Sequence, residues 1–468
     1  MKITGELKAT LEKLSKVNID FFEFVENNPE SLKSISFEGM KATGDSYKLQ
    51  AWPTFINPQA KALFLETSVK VINLVKSIPA RFFADDPNRA AAYYEQPAAV
   101  VNVQLEGIND SQLADIVGRL DFVLSPSGLK CLELNVSTYT IGWQYPVWQS
   151  LYLNTPVIDQ FLKEYRVKIN NENYLGLFLE HMIRLASPLA EPDGISAGAS
   201  RRQLNVAMAM EGYIEDQQNK NPFLENLKQL YPGKLSGSGL SGQLFMCDFP
   251  HLEYSDNKVY YHGHRVHGLI ELCHGIVASG VMKAFTAGNI RLLNGPVTGL
   301  LSNKFNLALL SEHEDADIFT AEEKETIKKH IPWTRKIIPG ETLYKGEKIQ
   351  MQNFLIANKD KLVIKPSLGL GGQQVCIGQA IFRKEWEYIV NNALRKRTYL
   401  VQEFVEAPQF LYRSGEAGCA LHDTVWGVWL LGSQYGAAMV RALPAGKTRK
   451  VVNAAQGAEV SAVFEVDE

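Results

Sequence analysis

The chain has 468 residues, 46% of them apolar, 21% charged, with a formal net charge of −3; that length exceeds one ordinary core and predicts roughly two to four globular subdomains. Lys and Arg are dispersed apart from Arg395, Lys396 and Arg397, which excludes affinity built on phosphate-backbone neutralisation and so a nucleic-acid partner. No apolar run approaches bilayer length, so no membrane span is expected, and five scattered cysteines without a CxxC pair fit reduced cytoplasmic thiols, not a disulfide framework or zinc site.

The opening MKITGELKATLEKLSK is polar, has helical spacing and lacks the apolar core of a leader. Residues up to about 95 predict helices, from LEKLSKVNIDFFEFV and FLETSVKVINLVKSI. The apolar run Ala98 to Val103 predicts a strand, Ser111 to Gly118 a short helix. Arg119 to Leu124 and Lys130 to Asn135 predict two strands around the turn Ser125-Pro-Ser-Gly128, a hairpin with polar residues at alternate positions.

A helix is expected over Tyr174 to Leu185, then a loop from Pro188 to Ser200. Leu204 to Met210, Asn221 to Leu230 and Leu244 to Cys247 follow a strand-helix-strand rhythm, the pattern of a small parallel α/β unit. Ser236 to Gly242 imitates a phosphate loop in composition, but no strand feeds it and no helix leaves it, so it is a flexible connector. Glu322 to Lys329 predicts a helix. Lys361 to Lys365, Tyr399 to Phe404 and Val425 to Leu431 predict strands. There is no internal repeat.

Residues two apart on a strand share a face, so Arg119 with Asp121, and Glu133 with Asn135, converge on one side of the hairpin. Two carboxylates and an amide oxygen are the hard donors that Mg²⁺ prefers when phosphates complete its shell. Further on, an apolar strand ends at Lys365-Pro366 and enters a loop with Gly369, Gly371 and Gly372 before Gln373. Bare amides there can approach phosphate oxygens while the lysine adds charge; it is neither a Walker A loop nor a Rossmann fingerprint. Ser302-Asn303-Lys304 places a second lysine at a helix start. In Tyr399 to Glu406 an apolar strand opens to polar residues, a hinge able to pair with an adenine edge. The histidines His262, His264 and His267, with His274 beyond, suit zinc poorly, because on a strand His267 would point away from the other two.

Together these groups resemble the circularly permuted ATP-grasp proteins, and especially the synthetase part of glutathionylspermidine synthetase. The features that carry the resemblance are Arg119-Leu-Asp121 followed by Glu133-Leu-Asn135, then Ser302-Asn303-Lys304, Lys365-Pro366 before the glycines, Gln402-Glu403, and Met439-Val-Arg441 with Val451 to Gly457 after it. Order matters most: ordinary ATP-grasp chains place both phosphate lysines before the acidic strands, whereas here the acidic strands come first. The resemblance covers roughly residues 95 to 460. It departs from the family at Gly372-Gln373, where a charged pair is usual, and no amidase domain of the kind fused to some members is expected within these residues.

The resemblance implies an α/β (α+β) chain of circularly permuted ATP-grasp fold with a helical N-terminal region (1–95). It also implies an ATP-grasp part carrying the metal strands (96–200), a pre-ATP-grasp α/β subdomain (201–295) holding the hairpin around His262, and a lid and nucleotide part (296–468). The implied activity is a carboxylate-amine ligase that forms an amide through an acyl phosphate and releases ADP and phosphate. Its cofactors would be ATP and Mg²⁺, its substrates a small-molecule or peptide carboxylate and an amine. Asp121, Glu133 and Asn135 would hold Mg²⁺; Lys304 and Lys365 the phosphates; Gly369 to Gln373 would cover them; and Gln402, Glu403, Phe404 and Val405 would hold adenine. Arg441 would stabilise the transferring phosphoryl group, while Arg119, Ser137 and Thr138 would touch the carboxylate substrate. A phosphotransferase on the same fold and a non-catalytic nucleotide-binding partner subunit are the alternatives.

Overall fold

The computed structural model describes residues 5–28, 48–106, 113–192, 202–212, 222–272, 278–369, 371–406, 408–414, 418–446 and 451–467. Expectations for residues 29–47, 111–112 and 193–200, for Leu370 of the glycine loop, and for Cys273 and His274 lie outside the described residues. The other four cysteines are free thiols, two buried and two half-buried. Among the described residues no helix is long and apolar enough to cross a membrane.

The N-terminal region is largely helical, with Gly5–Leu14, Val17–Asn27 and Pro58–Lys76. Asn57 starts the third helix by accepting a hydrogen bond from the Ala60 amide, with Pro58 at the first helical position. One strand interrupts the series: β1 (Thr54–Ile56), buried throughout, pairs in parallel with the last strand of the chain. Three residues are too few for periodicity to reveal a strand. Ala98–Leu105 is a helix, not the predicted strand. A short apolar run cannot be told from a helix by periodicity, and here the alanine pair and the preceding Pro97 favour the helix.

β2 (Val117–Ser125) and β3 (Gly128–Asn135) form the expected hairpin, turning at Gly128 with φ +106°. β4 (Val206–Met210), β5 (Leu244–Cys247), β6 (Gly268–Leu272) and β7 (Arg291–Leu292) form an all-parallel sheet in the order β7-β6-β4-β5. The crossover helix from β4 to β5 runs over Pro222–Ser236, longer than predicted, and contains Pro232. In the hairpin Lys258–Tyr261/His264–Val266, His262 occupies the turn with φ +49°, so it does not share a strand face with His264 as expected. His267 is buried, its Nδ1 accepting from the Asn205 amide at 2.9 Å.

β8 (Thr334–Lys336), β9 (Leu362–Pro366), β10 (Cys376–Ile377) and β11 (Tyr399–Glu403) make an antiparallel sheet ordered β8-β11-β9-β10. Trp386 and Val390 of the helix Arg383–Lys396 pack against its Leu362, Ile364 and Val401. The last strands, β12 (Phe410–Ser414), β13 (Gly418–Leu431), β14 (Gln434–Pro444) and β15 (Glu459–Glu465), join the first three in a seven-stranded sheet. Its order is β1-β15-β14-β13-β2-β3, with β12 also on β13.

Alternation gives this large sheet two different faces. Trp426 faces the helix Pro58–Lys76 and stacks on its Phe64 at 5.2 Å. Its neighbours Val425 and Gly427 point the other way, and register puts Arg441 beside Val425 and Asp121 beside Gly427 on that second face.

Candidate active site

The hairpin register pairs Arg119 with Asn135 and Asp121 with Glu133, so all four side chains share the second face. Arg119 donates from Nε to Asp121 Oδ1 at 2.8 Å and from Nη2 to Oδ2 at 3.2 Å. Asn135 Nδ2 donates to Asp121 Oδ2 at 3.1 Å. Arg441 arrives from β14, its Nη2 2.8 Å from the same Oδ2. That contact is an ion pair by distance but is not aligned as a hydrogen bond: Arg441 Nε and Nη2 are both buried without a hydrogen-bond partner. Burial works against the Asp121 charge, yet the two guanidinium groups outweigh it and hold the carboxyl well below the usual range.

Lys304, buried just before the helix Phe305–Glu312, reaches Glu133 Oε2 at 3.3 Å and donates to the Gly369 carbonyl at 3.2 Å. Lys365, near the end of β9, donates to Gln402 Oε1 at 2.7 Å and to the Leu132 carbonyl at 3.1 Å. Burial pushes its ammonium down to about 8, against the upward pull of Glu133. Four cationic side chains, Arg119, Arg441, Lys304 and Lys365, therefore gather around Asp121 and Glu133, and Glu403, Glu406 and Asp423 stand elsewhere on the same cavity wall.

A cavity of about 600 Å³ opens over this group, of the size that takes a small ligand. Its lining brings together Asp121, Glu133, Lys365, Gly372, Arg441 and the segment Gln402 to Val405. Arg119, Asn135 and Lys304 connect through their contacts with Asp121 and Glu133. Gly369, Gly371 and Gln373 are not part of the lining; Gly371 instead accepts at its carbonyl from Gln456 Nε2 at 3.5 Å. Gly372 has φ +70°, and a Cβ there would stand 2.9 Å from Val451 Cγ1, so the loop packs on the last segment of the chain.

Three expected roles meet competing bonds. The Gln402 side chain accepts from Lys365 at Oε1 and donates to Thr334 Oγ1 (3.1 Å), so it positions the lysine. The Glu403 and Phe404 amides donate to the carbonyls of Trp333 (2.8 Å) and Lys361 (2.7 Å). Ser137 caps the short turn Thr138–Thr140, and the Thr138 hydroxyl donates to the Glu271 carbonyl.

Sequence reasoning missed Leu7, Asp423 and Val451 to Asn453 as lining residues. Only Val451 to Asn453 carried a signal, as part of the stretch after Arg441. Among the described residues no group of three or more His, Cys, Asp or Glu side chains is placed to hold a metal ion. The donors present, Glu133, Asn135 and an Asp121 already paired with guanidinium groups, fit a Mg²⁺ that takes most of its oxygens from phosphates and water, not one caged by protein.

No family model matches the sequence, and no curated protein matches it. Among solved structures, a glutathione synthetase-like effector of Globodera pallida in its apo form matches 99% of this chain and 98% of its own, at 11% identity and TM-score 0.53. That likeness shows a shared fold. A putative gamma-glutamylcysteine synthetase of Methylobacillus flagellatus matches 85% of this chain and 88% of its own at 10% identity, with TM-score 0.39.

Proposed function

We propose that this chain is an ATP- and Mg²⁺-dependent carboxylate-amine ligase of circularly permuted ATP-grasp type, working through an acyl phosphate. The observation that carries the reading is Arg441: a buried guanidinium ion-paired to Asp121 at 2.8 Å, with two nitrogens that make no aligned hydrogen bond, lining a cavity that also holds Lys365, Asp121 and Glu133. Buried donors without an aligned acceptor can serve an oxyanion that enters such a cavity. The fold shared with a glutathione synthetase-like chain supports the same reading.

A carboxylate does not react with an amine at neutral pH, because its leaving group would be oxide. Attack of a carboxylate oxygen on the terminal phosphorus of ATP forms a C–O–P bond and releases ADP. The amine nitrogen then attacks the acyl carbon, the C–O bond breaks, and phosphate leaves with the electron pair. Lys304 and Lys365 would hold the phosphates, with Gln402 and the Leu132 carbonyl fixing the direction of the Lys365 ammonium. Asp121 keeps Arg119 and Arg441 on one side of the cavity, where Arg119 would orient the carboxylate and Arg441 would meet charge developing on the phosphoryl oxygens. Glu133 and Asn135 would ligate Mg²⁺, which neutralises phosphate charge when bound. Val405 and Glu406 would read the purine, and Gly369 to Gln373 would cover the phosphates.

Incubation with ATP, Mg²⁺ and a panel of carboxylic acids, with and without amines, tests the reading. ADP should form only when an acid is present and should accumulate faster with its amine. ADP formation indifferent to every acid and amine would remove the ligase reading, and a stable phosphorylated acid as sole product would replace it with a phosphotransferase.

A further inference from the structure

The N-terminal helices lie outside the residues that carry the family resemblance, yet one of them reaches the cavity. Leu7, Leu11 and Leu14 fall on one stripe of the helix Gly5–Leu14 and are buried, while Lys8, Glu12 and Lys13 are exposed. The Asn57 amide, at the start of the helix Pro58–Lys76, donates to the Leu14 carbonyl at 2.7 Å and fixes one end of the stripe. The same region is fastened to β12: Gln50 Nε2 donates to the Arg413 carbonyl at 3.1 Å, and the Thr54 and Tyr412 hydroxyls share a hydrogen bond at 2.9 Å. Leu7, at the other end of the stripe, lines the large cavity, and Leu11 and Leu14 do not.

That cavity has two unlike ends. On β13, Gly427 is the register partner of Asp121 and Val425 that of Arg441; Asp423 and Leu421 follow on the same face, with Leu421 beside Leu411 of β12. Six residues of extended chain put Leu421 about 20 Å along the strand from the Asp121 row. Arg441, Lys304 and Lys365 belong to the first end. At the second, Gln409 Nε2 donates to Asp423 Oδ1 at 3.0 Å, tying the segment that follows Val405 to β13, and Leu7, Leu411 and Leu421 supply apolar wall. The charged groups with them, Asp423 and Glu406, are acids. Phosphates are drawn to the first end and repelled from the second, so the uncharged base of a bound nucleotide takes the second.

We infer that Leu7 is a wall of the base-binding end of the nucleotide site: with Leu411 and Leu421 it gives the purine of ATP an apolar surface to sit against, which makes the N-terminal helix part of that site. This rests on the nucleotide part of the ligase reading. Leu7 acts by contact and by keeping water from the base, whereas Leu11, four residues on in the same stripe, serves the fold alone.

The test titrates AMP-PNP with Mg²⁺ into the full chain, in wild type, Leu7→Ala and Leu11→Ala. Both variants shorten a buried leucine of one helix, so both should lower the thermal midpoint. Only Leu7→Ala should weaken AMP-PNP, by about threefold to tenfold, the loss expected when part of a leucine side chain's apolar contact is removed. In parallel, amide hydrogen exchange of the unmutated chain should slow over Gly5–Leu14 when AMP-PNP binds and should not slow with inorganic tripolyphosphate, which carries the charge without the base; this arm stands even if a variant does not fold. Wild-type affinity in Leu7→Ala, an equal loss in Leu11→Ala, or exchange that ignores AMP-PNP or responds equally to tripolyphosphate would overturn the inference. AMP-PNP binding to the wild type alongside any of these outcomes would leave the nucleotide reading standing; failure of AMP-PNP itself to bind would remove that reading too.

Discussion

Arg441 on β14 lies 2.8 Å from Asp121 on β2, although β13 separates the two strands. The contact fixes the guanidinium by one edge and leaves Nε and Nη2 without aligned partners. Binding and chemistry make different demands on such a group. Arg441→Lys keeps the charge and loses the planar fork, so turnover should fall about a hundredfold to a thousandfold while ATP affinity changes little. Turnover, ATP affinity and thermal midpoint measured on one preparation check this. A lower midpoint with unchanged turnover would make Arg441 a structural ion-pair partner only.

Gly427 is the β13 register partner of Asp121, and a Cβ there would stand 2.9 Å from Arg119 Cδ and 3.1 Å from Met439 Cε. The missing side chain lets Arg119 lie along the sheet toward Asp121. Gly427→Ala should displace Arg119 by a fraction of an ångström to about 1 Å and cost up to about a hundredfold in turnover, with the fold retained by circular dichroism. The loss should fall on the carboxylate substrate, not on AMP-PNP binding; a variant with wild-type kinetics would mean that Arg119 tolerates the shift.

Lys365 sets a pH limit. Its ammonium titrates at about 8 because it is buried, and phosphates binding beside it favour the charged form. Above that pH the empty site must take up a proton to bind nucleotide, so affinity should weaken, by up to about tenfold per pH unit. Titrations of AMP-PNP from pH 7 to 9.5 should show the bend, and Lys365→Arg, which stays charged, should flatten it. An affinity independent of pH in the wild type would show that Lys365 does not contact the nucleotide.

Asp121 couples the same cluster to acid stability. Its folded value lies below its unfolded one, so the stabilisation is fully present above the unfolded value of about 3.9 and is lost as pH falls toward the folded value. Replacing Arg441 with Met removes one of the two guanidinium groups responsible, so acid unfolding should move to higher pH. An unchanged acid midpoint would mean that Arg119 alone holds the carboxylate ionised.

The hairpin was legible because a period of two carries side-chain direction directly: Arg119, Asp121, Glu133 and Asn135 meet as the alternation requires. Two strands of the parallel sheet, β4 and β5, and the helix between them followed from the strand-helix rhythm, whereas β6 and β7 were not read. Ala98–Leu105 was not legible, since eight residues with apolar character all round give neither period. β1 was hidden by its length and by a partner at the far end of the chain. Within the site, Gln402 was placed by its position in a motif, but its role depends on where Lys365 and Thr334 lie after folding. Leu7 and Asp423 are ordinary residues in sequence; a place on a cavity wall exists only in three dimensions.

The central claim is that a substrate carboxylate is activated by phosphorylation, and one oxygen atom records it. With a carboxylic acid that supports turnover, labelled with ¹⁸O in its carboxyl group, the phosphate released should carry one ¹⁸O per amide formed, seen as an isotope shift in the ³¹P spectrum, with ADP as the nucleotide product. Label found in AMP, with pyrophosphate released, would mean adenylation, and unlabelled phosphate beside ADP would mean hydrolysis without transfer; either result would contradict the account.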